Sequence, residues 1–158
     1  MRNTSTRAIA YLREQGFFCQ SVEKWIPVAG NWKLGRRVDL FGIIDVLCIQ
    51  GSALVGIQTF SGSTTTHMAK SKASKMLKPW LRTGNLFELW SWTKRVGKDS
   101  RGATRKLWRP RIIQIGLDDD GNGNRLVTFP AYIPTNGLPE RGKDGNQSHP
   151  SARARTRT

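Results

Sequence analysis

The chain has 158 residues, 37% of them hydrophobic and including six Trp and six Phe, which suits one folded domain and leaves little length for a second. Lys and Arg number 26 against 11 Asp and Glu, a net charge of +15, and a surplus of that size points to a polyanionic partner, nucleic acid first. The chain lacks an apolar run of about 18 residues, so no membrane span is expected, while Arg2, Arg7 and Arg13 argue against a secretory signal and Cys19 and Cys48 read as buried thiols of a reduced, cytoplasmic protein.

Asn3-Thr4-Ser5-Thr6 offers several caps for a helix over 7–15, with Ala8, Tyr11, Leu12 and Gln15 on one face and Gly16 as its stop. Residues 17–27 read as one strand, and 28–37 as a basic loop around Trp32. Residues 43–50 and 53–60 read as strands joined by a tight Gly51-Ser52 turn. Both are apolar on both faces, as in the middle of a sheet covered on each side. Residues 63–83 read as one helix with Ala69, Ala73, Met76, Leu77 and Trp80 as its apolar stripe, kinked or restarted by Pro79 near its end. A strand over 86–93 places Glu88, Trp90 and Trp92 on one side, and 94–106 reads as a second basic loop. Residues 107–117 and 125–133 form a hairpin around Asp118-Asp119-Asp120-Gly121-Asn122-Gly123-Asn124. That turn resembles a calcium loop, but Phe129 stands at the twelfth position, where a bidentate Glu is needed.

The expected organisation is a folded domain over 1–133 and a disordered basic tail over 134–158, where Pro, Gly, Ser and Arg dominate. The charge is not confined to that tail: residues 1–95 carry 14 Lys and Arg against 5 acids, so the body is itself basic.

A two-residue turn at Gly51-Ser52 makes Asp45 and Gln58 cross-strand partners, with Cβ atoms about 5 Å apart on one face. Asp45 is the only charged residue between Asp39 and Lys70 and is flanked by Ile43, Ile44, Val46 and Leu47. A buried carboxylate costs several kcal/mol unless a cation, a metal or hydrogen-bond donors meet it. Carboxylate and amide oxygens together suit Mg²⁺ at about 2.1 Å. The plainer alternative is that Asp45 accepts hydrogen bonds from backbone or Gln58 and binds nothing.

The run Arg37-Val38-Asp39-Leu40-Phe41-Gly42-Ile43-Ile44-Asp45-Val46, followed by Gly56-Ile57-Gln58-Thr59-Phe60-Ser61-Gly62, resembles the PD-(D/E)XK (restriction-endonuclease-like) nuclease superfamily. Its Holliday-junction-resolvase-like and VRR-NUC-like domains, and small phage-type proteins, are nearest. The likeness covers residues 7–95. It implies an α/β fold with a restriction-endonuclease-like core of helix, three-strand meander, helix and strand, to which the C-terminal β-hairpin is added. It also implies a Mg²⁺- or Mn²⁺-dependent endonuclease acting on DNA, branched or junction DNA included. Asp45 matches the family's first acid, whereas Gln58 stands in place of the second and Phe60 in place of the lysine. The metal ligands implied are Asp45 and Gln58, Lys70 or Lys72 can substitute for the lysine, and Glu14, with Glu23 second, is the helix acid. Lys33, Arg36, Arg37, Lys75, Arg95, Lys98 and Arg101 are the expected phosphate-gripping residues, and Trp32 either stacks on a base or fills a gap over the sheet. His67 has no evident partner and reads as incidental.

The two departures favour a rival reading, a nuclease-derived module that binds DNA without cutting it. A third is a basic protein that binds RNA or a protein partner. Symmetric cutting of a junction requires a homodimer, and no dimer surface is legible.

Overall fold

The structure is a computed structural model that describes residues 3–118 and 125–130. Helix α1 (Thr4–Glu14) is followed by β1 (Phe18–Ser21), β2 (Lys24–Val28), β3 (Asn31–Val38), β4 (Val46–Gln50) and β5 (Ala53–Phe60). Then come α2 (Thr64–Ala73), α3 (Leu77–Arg82), β6 (Leu86–Lys98), β7 (Thr104–Leu117) and β8 (Leu126–Pro130). Six strands form one mixed sheet in the order β1-β4-β5-β6-β7-β8, and β2 and β3 make a separate two-stranded sheet. The fold is α/β.

Alternation in β4, β5 and β6 splits the core into two layers. On one face Ala8 and Leu12 of α1 cover Val46, Cys48, Val55, Ile57, Trp90 and Trp92. On the other, Leu77 of α3 packs with Ile43, Ile44, Phe60, Phe87, Leu89 and Ile115. Strand β5 is thus central and covered on both sides, as expected, whereas β4 is covered only on the α1 face: opposite Val46 and Cys48, its Leu47 is half-buried and Ile49 is 54% exposed.

Several elements differ from the sequence expectation. The single strand over 17–27 is two strands in different sheets. Pro27 has no N–H for a sheet ladder, which suits the edge-only hairpin that β2 forms. The basic loop over 28–37 is that hairpin's turn and returning strand. Ala29 and Gly30 both have positive φ, 49° and 75°, the pattern of a type I′ turn. The strand expected over 43–50 starts at Val46, because Phe41 and Gly42 turn the chain and Leu40 N–H bonds Ile44 C=O at 2.9 Å.

The single helix over 63–83 is two. Pro79 would clash with the carbonyl four residues back, so α2 ends at Ala73 and α3 begins at Leu77 with Pro79 inside its first turn. Of the expected stripe, Leu77 is buried, whereas Ala69, Ala73 and Met76 are exposed and Ser71 fills the inward position of α2. The basic loop over 94–106 is paired strand: β6 and β7 run in register from Phe87↔Ile115 to Lys98↔Thr104. Asp99 caps their turn by accepting N–H bonds from Arg101 and Ala103. The acidic turn at 119–124, the end of the last expected strand and the basic tail over 134–158 lie outside the described residues.

Candidate functional site

Strand pairing fixes where the site residues meet. Residues of β4 and β5 pair from Gln50↔Ala53 to Val46↔Ile57, the register expected from a two-residue turn. Asp45 and Gln58 are the next residues outward. They are 6% and 2% exposed. Their polar heads find separate partners: Asp45 Oδ2 accepts the Thr59 backbone N–H at 2.7 Å, and Gln58 Oε1 accepts the Ser71 hydroxyl of α2 at 2.9 Å. The ladder is irregular here, with Asp45 N–H bonding Ile57 C=O at 2.9 Å, so the carboxylate takes over a backbone acceptor's role towards Thr59.

The β2–β3 hairpin brings further acids to Asp45. It closes at Lys24↔Val38, and Glu23 and Asp39 are the residues just outside that closing pair. Val22 N–H bonds Asp45 C=O at 2.9 Å, which anchors the outgoing strand at the site. Burial pushes the Asp45 carboxyl up to about 7, against the Thr59 N–H that favours its anion; the charges of Asp39 and Glu23, and Asp39 within hydrogen-bond reach, raise it further.

Each neighbouring acid has a basic partner. Lys70 Nζ lies 3.6 Å from Asp39, and Arg37 lies 3.0 Å from Glu23, which also accepts the Ser5 hydroxyl. Among the described residues, no three His, Cys, Asp or Glu side chains converge as a ready group for a metal ion. The donors at hand for one are the Asp45 and Asp39 carboxylates and the Gln58 amide oxygen.

Other expected residues fall elsewhere. Glu14 ends α1 while Thr4, at the other end, donates to Thr59 C=O; ten residues of helix, about 15 Å, keep Glu14 away from Asp45. Glu23, the second choice, stands beside Asp45 instead. Lys72 and Lys75 are exposed, Lys72 on α2 and Lys75 between α2 and α3. Phe60, in place of the lysine, stacks on His67 with ring centroids 3.8 Å apart. Burial and the Lys70 charge lower the His67 imidazole from its usual value. Asp39 is the residue that sequence reasoning missed, although it lies in the quoted motif.

The basic residues divide between two arms. Lys33, Arg36 and Arg37 lie on β3. Strand β6 is parallel to β5, and Phe60↔Ser91 is their last pair. Beyond it, β6 runs on from Trp92 to Lys98 paired, among the described residues, with β7 alone, carrying Arg95 and Lys98, with Arg101 at the turn. Seven residues extend about 23 Å. Since β5 ends, β4 begins and β1 ends at one end of the sheet, both arms leave from the end that holds Asp45. Trp108 anchors the second arm, with the Arg7 guanidinium of α1 4.2 Å from its ring centroid and Lys94 5.4 Å.

Cys19 and Cys48 are register partners on β1 and β4 and are both free thiols. Cys48 is buried as expected and Cys19 only partly so; burial, with the nearby Cys19 and Glu88, pushes the Cys48 thiol up to about 12. No described helix is long and apolar enough to cross a membrane. A scan against protein-family models finds no match, and searches of curated proteins and of solved structures likewise find none.

Proposed function

We propose that this chain is a metal-dependent endonuclease that hydrolyses phosphodiester bonds in DNA, built on a restriction-endonuclease-like core. The observation that carries the reading is the meeting of buried Asp45 with half-buried Asp39 at the foot of one basic hairpin, with a second basic hairpin at the same sheet end. The element order supports it too. Strands β1, β4 and β5 are the meander, α1 and α2 flank it, and β6 follows in parallel.

A buried carboxyl with a second carboxyl beside it suits a divalent cation, which would compete with the proton for Asp45. Asp45 and Asp39 would hold Mg²⁺ or Mn²⁺, with the Gln58 amide oxygen as a neutral donor. Such an ion supplies polarisation of a phosphoryl oxygen and a lowered pKa for bound water. The chain's own residues do the rest. Lys70, held at Asp39, puts a positive charge beside the phosphate. Lys33, Arg36, Arg95, Lys98 and Arg101 hold the flanking phosphates so that the scissile bond stays over Asp45.

Supercoiled plasmid and branched DNA, each incubated with Mg²⁺ or Mn²⁺, test the reading. Wild-type protein is expected to cleave, and Asp45→Ala to lose at least about 100-fold in rate. Equal cleavage by both proteins would discard the site.

A second reading, a nuclease-fold module that binds DNA without turnover, is favoured by the Gln58 and Phe60 positions. The first is tied to Ser71 rather than charged, and the second stacks on His67 where a lysine would reach the phosphate. Tight DNA binding with no cleavage by either protein would establish that reading.

A further inference from the structure

Among the described residues the β2–β3 hairpin pairs only with itself, although an isolated two-stranded hairpin is marginal in water. It also exposes large apolar side chains: Trp32 is 72% exposed, Leu34 61%, Val28 57% and Ile26 45%. They gather towards the tip, where the register shifts between Pro27 and Val28 and the Trp32-Lys33-Leu34 segment bulges out of the ladder. Between Glu23 and Asp39 every charged residue is basic: Lys24, Lys33, Arg36 and Arg37.

We propose that this hairpin is a wedge that unstacks nucleic acid, with Trp32 and Leu34 packing on bases while Lys33 and Arg36 hold the adjoining phosphates. This rests on the nuclease reading and deepens it, because it assigns one element of this chain, the β2–β3 hairpin, to the open base faces of unpaired or branched segments. Charge complementarity selects the occupant. A second copy of the hairpin would bring like charges together, whereas nucleic acid offers both anionic oxygens and flat apolar faces. Position argues the same way. The hairpin reaches about 17 Å from its closing pair, and that pair is flanked by Glu23 and Asp39 at the site. A strand gripped at the tip is therefore held at a fixed distance from Asp45. In a continuous duplex the bases are stacked, and the tip meets only phosphates.

Binding of the full chain without divalent metal, so that cleavage plays no part, tests the proposal. The probes are a continuous duplex and a fork of equal length, with 2-aminopurine at the branch. The fork is expected to bind more tightly and its fluorescence to rise as the base unstacks. Trp32→Ala is expected to lower the fork-to-duplex affinity ratio at least about fivefold, the low end for one base–aromatic stack. Lys33→Ala is expected to weaken both probes together. Because Trp32 is so exposed, an unchanged thermal midpoint will show that its variant folds. The proposal is overturned if Trp32→Ala keeps the full fork preference, if the fluorescence does not change, or if Trp32 matters only for anionic vesicles of phosphatidylserine. A protein that selects forks yet never cleaves leaves the wedge standing and removes the endonuclease; one that cleaves forks and duplexes alike does the reverse.

Discussion

Asp45 is legible because a single carboxylate inside an apolar run has to be explained, and the short Gly51-Ser52 turn then fixes what stands across from it. Asp39 and Glu23 are not legible in that way. They reach Asp45 because a hairpin between them closes on itself, which no spacing in the chain reveals. Glu14 illustrates the converse, since an acid on the correct helix is useless when the helix runs away from the site. The crowding of Asp45 has a consequence for stability. Its native carboxyl, at about 7, binds a proton more tightly than an unfolded Asp near the usual 3.9. Between those values the native state holds the extra proton, so the Asp45 contribution to stability is full below about pH 4 and is lost as pH rises towards 7. The decline attributable to Asp45 is at most about 4 kcal/mol. Glu88, raised by burial despite the Trp90 indole N–H, tilts the profile the same way. The difference between wild type and Asp45→Asn isolates Asp45, because the amide oxygen still accepts from Thr59. Urea unfolding from pH 4 to 8 is expected to show a shallower decline in Asp45→Asn, and parallel profiles would contradict it.

Elements were legible wherever the apolar pattern decided them, which covers α1, β4 and β5. They were not legible where polar residues do the pairing. Strand β3 and the outer halves of β6 and β7 are rich in Lys and Arg and read as loops, yet their backbones pair residue by residue. The type I′ turn at Ala29-Gly30 also lacks the usual Asn-Gly signal. Proline and glycine were better guides. Pro79 marks the break between α2 and α3, and Gly56 lies where Trp80 of α3 approaches the sheet. A Cβ on Gly56 would lie 2.7 Å from Ile44 Cδ1, 3.0 Å from Ile44 Cγ1 and 3.4 Å from Trp80 Cε2. Ile44 is fully buried and adjoins Asp45, so it has little room to retreat. Gly56→Ala is expected to cost about 1–3 kcal/mol in denaturant unfolding, as overpacking does. A neutral result would mean that the layer holding Ile44 is looser than its burial implies.

At the scale of the whole molecule, the charge surplus was legible from composition, but its layout was not. The strand order places β1 and β4 at the foot of one arm, β6 and β7 at the foot of the other, and the Asp45 site on β4 and β5 between them. From β1 to β7 is four strand spacings, about 19 Å. A polyanion lying across that end of the sheet would meet cations on both sides and acids in the middle, as the proposed function requires. Arm contacts of this kind position the backbone and carry no sequence information. Each phosphate neutralised should release counterions and contribute about −0.9 to the slope of log affinity against log salt on duplex DNA. Arg95 and Lys98 are exposed on the β6 arm, away from Asp45. Replacing both by Ala is therefore expected to reduce the magnitude of the salt slope by roughly 2 and to weaken binding alike across sequences. Fluorescence anisotropy over a series of salt concentrations measures both quantities. An unchanged slope would mean that neither Arg95 nor Lys98 contacts a phosphate.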